Sequence, residues 1–313
     1  MLYPLKFKPI LEERIWGGHQ LGEKMGKKLP AGKLIGESWE ISSVPGNISV
    51  ISNGKLAGNT LEELIEVYMG DLVGDKIYNK FGLLFPLLIK LIDAQDALSI
   101  QVHPNDQLAK ERHNSYGKTE MWYIVDAEKD AQLCLGFNRP VTKEEYLKHV
   151  ADGTLADILA RVPVKQDDAY FIPAGAIHAI GKGILIAEIQ QTSDITYRVF
   201  DWNRVDKNGK SRELHTELAV DAINFAPDQH YDITHQPEVN RSVNLVECPY
   251  FTTNVVEVKG ELTRSYEALD SFVIYMVLDG DLTMKWKDGS EKATKGETVL
   301  VPACIDEMTL EGN

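Results

Sequence analysis

Cysteine is scarce in this sequence: Cys134, Cys248 and Cys304 are the only three in 313 residues. Widely spaced and without a CxxC pair, they exclude a disulfide framework. A reducing compartment and three buried, inert thiols are expected. Positive charge is also in short supply, with 33 Lys and Arg against 47 Asp and Glu and a net charge of −14. That balance argues against nucleic acid or an anionic membrane as partner, because either requires a basic footprint. Any anion site must be small and local. Long apolar runs are missing too: the most apolar stretch, 81–92, is interrupted by Pro86 and Lys90 and is too short to cross a bilayer. The opening MLYPLKFKPILEERIWGG lacks the apolar core and cleavage site of a signal peptide. The expectation is a cytoplasmic chain of one large or two medium domains.

What the sequence has is β-structure. Short segments rich in Ile, Val, Leu and Tyr occupy 48–52, 87–92, 98–102, 120–125, 132–136, 169–172, 184–191 and 195–200, and Gly, Pro, Asn and Asp punctuate them. The pattern resumes after residue 240, at 242–246, 251–258, 272–277, 281–286 and 298–301. Many short strands with turns between them predict a sandwich or barrel. Helices are few. Thr60 and Glu63 form a capping box ahead of Leu61, Leu64, Ile65, Tyr68 and Met69, and Thr142 with Glu145 forms another. A restart from Thr154 through Leu159 is expected, as is a helix over 213–223 with Leu214, Leu218 and Ile223 on one side. The polar stretch 226–241 reads as a boundary, giving domains 1–235 and 236–313.

The two halves look alike. Trp122-Tyr-Ile-Val-Asp-Ala127 and Tyr170-Phe-Ile-Pro-Ala-Gly-Ala-Ile-His178 are echoed by Ile274-Tyr-Met-Val-Leu-Asp-Gly280 and Val299-Leu-Val-Pro-Ala-Cys-Ile-Asp-Glu307. The histidine five places after Pro173 becomes Glu307 five places after Pro302. The echo predicts two related barrels, of which the first alone keeps that histidine. The sequence stops where a closing strand is due, so the second barrel is expected to lack an edge strand.

Gln101 and His103 are two apart on a strand-like run and share a face, while Ile100 and Val102 turn the other way. Buried polar groups need partners, and a metal ion is one that both can share. Glu120 opens the next run and His178 follows a Pro-Ala-Gly turn. The four offer an amide oxygen, two imidazoles and a carboxylate, a thiolate-free set suited to Zn²⁺ and also to Fe²⁺ or Mn²⁺. Separate structural roles for the four fit the spacing equally well.

The motifs Trp16-Gly-Gly18, Gly36-Glu-Ser-Trp-Glu-Ile-Ser42, Leu98-Ser-Ile-Gln-Val-His-Pro-Asn-Asp106, Gly117-Lys-Thr-Glu-Met-Trp-Tyr123, Ile172-Pro-Ala-Gly-Ala-Ile-His178, Glu188-Ile-Gln-Gln191 and Ser193-Asp-Ile-Thr-Tyr-Arg198 stand in one order. As an ordered set, the sequence resembles the short bacterial form of the type I mannose-6-phosphate isomerases. The resemblance implies a mainly β fold of two cupin-type jelly-roll barrels, with a small set of helices attached to the N-terminal half. It implies one zinc per chain, held by Gln101, His103, Glu120 and His178, and interconversion of mannose 6-phosphate and fructose 6-phosphate through an enediol. Glu188 and Asp194 are its candidates for the acid–base group. Arg198 matches an arginine that could hold Asp194, steady the enediolate or meet the phosphate, and Ser99, Lys90 and Lys118 match substrate or phosphate positions. A small phosphorylated sugar is the implied partner, with the chain a monomer or weak homo-oligomer. An iron-dependent cupin dioxygenase and a non-catalytic sugar-binding cupin are the alternatives.

Overall fold

Alternating apolar side chains build the first half as two facing sheets in the computed structural model, which describes residues 2–205, 208–226 and 229–312. One sheet has six strands, in the order Ala169–Ile172, Glu120–Ala127, Ile184–Gln191, Leu87–Ala94, Ile35–Ile41 and Ile10–Gly18. The other has five, in the order Leu159–Pro163, Gln132–Phe137, His178–Ala179, Ile100–Val102 and Tyr197–Phe200. The inner faces meet over Trp122, Ile124, Ile172, Ile186, Leu133 and Leu135. The six-stranded sheet buries its outer face, with Met121, Tyr123, Leu185 and Ala187, against Leu61, Leu64 and Ile65 of the helix Leu61–Tyr68. The five-stranded sheet puts Ile100, Val102, Tyr197 and Val199 against Tyr146, Ala219 and Val220 of the helices Lys143–Ala151 and Thr216–Ala222. Two buried faces per sheet explain why several strands read as nearly continuous apolar runs.

Both capping boxes form as expected, Thr60 with Glu63 and Thr142 with Glu145. Other expectations are corrected. The restart from Thr154 is a short 3-10 turn, Leu155–Ile158, that runs straight into a strand. The helix expected over 213–223 begins only at Thr216, and its buried residues are Ala219 and Val220, while Leu214 and Leu218 are exposed. Four helices went unread, Gln20–Glu23, Gly70–Val73, Asp75–Phe81 and Asp106–His113. Of the cysteines only Cys134 is buried; Cys248 is half-buried and Cys304 exposed.

The C-terminal part repeats the plan on a smaller scale. Thr298–Val301 pairs antiparallel with Val273–Met276 as Ala169–Ile172 pairs with Glu120–Ala127. Ile172 stands opposite Glu120, and Val301 opposite Val273. The place of Glu120 is therefore taken by a valine, and Glu307, at the place of His178, is exposed. Met284, Val299, Val301, Met308 and Leu310 fill this interior. The missing edge strand is also corrected: Glu307–Gly312 is a strand, paired on one side with Gly260–Ser265 and on the other with Asp281–Trp286. The expected boundary at 226–241, of which Pro227 and Asp228 lie outside the described residues, is partly docked. Tyr231 is buried in the inner core, and its carbonyl accepts from the Phe171 N–H at 2.8 Å. The first strand, Leu5–Lys6, pairs with Leu300 and Val299 and so joins the far end of the chain. No helix of the described residues is long and apolar enough to cross a membrane.

Candidate metal centre

The inner faces of the two sheets carry polar residues at one end. His103 Nε2 lies 3.6 Å from Glu120 Oε2, and His178 Nε2 lies 3.4 Å from Glu120 Oε1. One ligand atom from each of the three falls within 4.8 Å of the others, and the side chains are only 1% exposed. Both rings are braced from behind. His103 Nδ1 lies 3.0 Å from the Ile195 carbonyl, and His178 Nδ1 lies 2.9 Å from that of Ala176. A carbonyl only accepts, so each Nδ1 carries the proton and each Nε2 turns a lone pair inward. Burial, with Lys118 adding to it, holds His103 well below the usual histidine range and His178 down to about 4, so both rings are neutral.

Neither oxygen of Glu120 has a hydrogen-bond partner, and His103 Nε2 has none. Burial and then the nearby Glu188 push the Glu120 carboxyl upward, against the pull of Lys118 and Lys90. Buried lone pairs converging without a donor are costly, and a cation at their focus would satisfy them together. The residues therefore fit a metal ion, and their nitrogen and oxygen donors suit zinc, iron or manganese. Gln101 stands directly opposite His178 in the sheet, with its Nε2 3.3 Å from His178 Nε2. The opposite assignment of the amide presents its carbonyl oxygen there instead, so Gln101 fits as a fourth donor.

Asp106 draws the motifs together. Its Oδ1 accepts from Gly117 N and Gln191 Nε2, both at 2.9 Å, and its Oδ2 from the Tyr250 hydroxyl at 2.9 Å. Gln191 Oε1 in turn accepts from Thr119 N at 2.8 Å, fixing the residue before Glu120. The turn before His178 needs its glycine. Gly175 has φ +90, a Cβ there would meet the Ala222 carbonyl at 2.9 Å, and its N–H donates to the His103 carbonyl at 2.9 Å.

A cross-strand rung lies beside the centre. Trp122 stands opposite Glu188, Glu188 opposite Lys90, and Lys90 opposite Trp39. Side chains on one rung share a face, and these interact in sequence. Trp122 Nε1 donates to Glu188 Oε2 at 2.9 Å, Lys90 Nζ lies 3.2 Å from Glu188 Oε1, and the ammonium sits 5.2 Å from the Trp39 ring. Lys90 is buried in an otherwise apolar strand, where a cation needs a paired carboxylate. Burial works against its charge, but Glu37 and then Glu188 raise it above the usual lysine range. Glu37, two residues from Trp39, is held down to about 2: burial opposes this, and Lys90, Arg14 and the Trp39 N–H outweigh it.

The remaining candidates divide. Arg198 stands opposite Gln101 and so shares the inner face. Burial and the nearby Arg212 lower its affinity for its proton, and Asp201 offsets them. Asp201 itself binds Arg204 and Arg212, each at 2.6 Å, so three arginines gather at this end. Ser99 is buried two residues before Gln101. Lys118 is buried with Nζ 3.5 Å from Glu120 Oε2, inside the centre. Asp194 is exposed, and the Arg198 guanidinium donates to the Glu213 carbonyl at 3.0 Å, with no ion pair to Asp194 among the described residues. Sequence reasoning missed Glu37, Arg14, Arg204 and Arg212. Glu37 had a signal, an acid two places from Trp39 inside a strand.

Facing sheets with a buried imidazole–carboxylate cluster on the inner face define a metal-site cupin. Residues 4–134 match the family profile "Phosphomannose isomerase type I, catalytic domain", and residues 241–313 match "Mannose-6-phosphate isomerase, cupin domain". The mannose-6-phosphate isomerase ManA of Bacillus subtilis (strain 168) is 39% identical over 315 residues, 99% of this chain and 96% of the relative. That of Streptococcus mutans serotype c is 34% identical, over 100% and 96%. A crystal structure of the mannose 6-phosphate isomerase from Bacillus subtilis superimposes with a TM-score of 0.88 at 33% identity, covering 100% of this chain and 98% of that one. The chain belongs to the type I phosphomannose isomerase family and is an isomerase on a cupin fold, as its ordered motifs implied.

Proposed function

We propose that the chain interconverts mannose 6-phosphate and fructose 6-phosphate through an enediol, with one zinc ion per chain held by Gln101, His103, Glu120 and His178. The observation that carries this reading is the set of buried lone pairs on His103 and Glu120 that converge without a donor, beside a carboxylate that is itself free to take a proton. Zinc, when bound, would supply Lewis-acid polarisation of the sugar's C1 and C2 oxygens.

The chain's own residues do the rest. Aldose and ketose differ by one hydrogen moved from C2 to C1 and one proton moved from O2 to O1, so no oxidant is required. Glu188 is the acid–base residue in this reading: Oε2 is fixed by Trp122, while Oε1 has no directed hydrogen bond and can take the C2 proton and return it at C1. Arg198 steadies negative charge on the substrate. Ser99, Lys90 and Lys118 complete the polar wall, and exposed Asp194 has the weaker claim to the proton. Residues 1–235 carry the chemistry, and 236–313 form a companion barrel without a metal site. The sugar phosphate is met in the cytoplasm by a monomer or weak homo-oligomer, and neither nucleic acid nor membrane is a partner.

Coupled assay of mannose 6-phosphate turnover, with metal content measured on the same sample, tests the reading. His178→Ala is expected to lose metal and activity together. Full turnover by chelator-treated, metal-free protein would remove the zinc, and no turnover by metal-loaded protein would remove the isomerase. Unchanged turnover without oxygen is expected and separates it from a dioxygenase.

A further inference from the structure

Glu37 is a buried carboxylate to which the reading above gives no task. Its Oε2 accepts from Trp39 Nε1 at 3.0 Å and from Arg14 at 2.8 Å, and its Oε1 faces Lys90 Nζ at 3.9 Å. Lys90 Nζ is thus shared: Glu188 Oε1 lies 3.2 Å away on the other side, and the Trp39 ring lies under the ammonium. The Lys90 side chain is 5% exposed, so water does not compete for it. A buried ammonium facing a single carboxylate closes to a charge-assisted hydrogen bond of about 2.7–2.9 Å. Here the contact is longer, and Glu188 Oε1 has no directed bond.

We infer that Glu37 is a positioning residue that draws Lys90 away from Glu188 and so keeps Oε1 of Glu188 open for proton transfer. The inference rests on the isomerase reading given above. Each of the two buried carboxylates has a cation in this arrangement. Lys90 answers one of the two carboxylates, and Arg14, 32% exposed at the rim, answers the other while its second nitrogen holds Glu12 at 2.9 Å. Neutralising Glu37 leaves Lys90 with Glu188 as its one close carboxylate. The ammonium then closes on Oε1, and both the proton acceptor and the free cation are lost to each other.

The test is a double-mutant cycle on metal-loaded protein with mannose 6-phosphate as substrate. Glu37→Gln is expected to lower kcat about 10- to 100-fold, a fraction of what acid–base catalysis supplies. KM should stay within about 2-fold and metal content should be unchanged. In a Lys90→Met background, Glu37→Gln should change kcat by less than about 2-fold, because its effect passes through Lys90. Equal losses in both backgrounds, or wild-type kcat in the Glu37→Gln single variant, would overturn the inference. If that single variant does not fold, comparing Lys90→Met with Lys90→Met/Glu37→Gln still decides it. Wild-type protein without turnover would instead refute the isomerase reading, so the two failures are distinct.

Discussion

Removing Glu120's charge and supplying a metal ion should each relieve the same buried carboxylate, and the two effects should not add. Without a metal ion, Glu120 is a buried carboxylate with no hydrogen-bond donor on either oxygen and the Lys118 ammonium only at 3.5 Å, and keeping it charged there costs several kcal/mol. Glu120→Gln is nearly isosteric and carries no charge, so the metal-free variant should melt no lower than metal-free wild type. Zinc should act on wild type alone. At a thousandfold excess over Kd, binding to the folded state contributes about 4 kcal/mol. An unfolding entropy of about 2.1 cal/mol/K per residue over 313 residues makes that a rise in Tm of about 6 °C. The donors come from both sheets, from Ile100–Val102 and the residue just after it, from Glu120–Ala127 and from His178–Ala179, so the ion would pin one sheet to the other. Differential scanning calorimetry of both proteins, chelated and zinc-loaded, measures all four values. A wild-type shift below about 1 °C at saturation, or an equal shift in Glu120→Gln, would refute the reasoning.

Asp93 is a second buried carboxyl. Burial pushes it up to about 6, and the Gln20 N–H, donating to Oδ2 at 2.7 Å, only partly opposes this. The folded state therefore holds this proton longer than the unfolded chain. The contribution is favourable below the ordinary aspartate range and declines as pH rises through about 6. Asp93→Asn should flatten that decline and stabilise the protein by about 1–3 kcal/mol at pH 8, read as urea midpoints across pH; a variant that follows the wild-type slope would exclude Asp93 as its source. Trp122→Phe keeps a ring in the core but deletes the indole N–H that fixes Glu188. It should lower kcat about tenfold at a cost of about 1–3 kcal/mol in stability, and wild-type kcat with wild-type metal content would show that Glu188 needs no such fixing.

Where one residue type in one spacing carries the physics, the sequence was readable. The apolar segments 169–172, 184–191, 281–286 and 298–301 match the observed strands to the residue, because each is bounded by turn residues and packs on at least one face. The strands Ile10–Gly18, Gly260–Ser265, Gly289–Thr294 and Glu307–Gly312 escaped because their exposed faces interrupt the apolar signal with Glu, Lys, Arg and Thr. The helix Asp106–His113 did leave a mark: Asn105 caps it, its side chain accepting from Leu108 N at 2.9 Å, and Lys110, Arg112 and His113 fill its last turn. The metal cluster was visible as motifs and as the Gln101/His103 alternation. The Glu37–Lys90–Glu188 cluster was not, since it depends on the register of strands some 50 and 100 residues apart, which local pattern does not encode.

The pairing of Leu5 with Leu300 has a consequence for how the chain is made. Leu5 leaves the ribosome well before its partner and must wait for a residue some 295 positions behind it. At about 5–20 residues per second, that wait is about 15–60 s. During it, Leu2, Leu5 and Phe7 can pack against Ile51, Leu61 and Leu64, but the strand Leu5–Lys6 has no partner on its other edge. The N-terminal half can collapse around its own sheets while synthesis continues. The sheet that Leu5–Lys6 shares with Val273–Met276 and Thr298–Val301 closes only when those strands emerge, so nascent chains stalled near residue 290 should expose that strand edge.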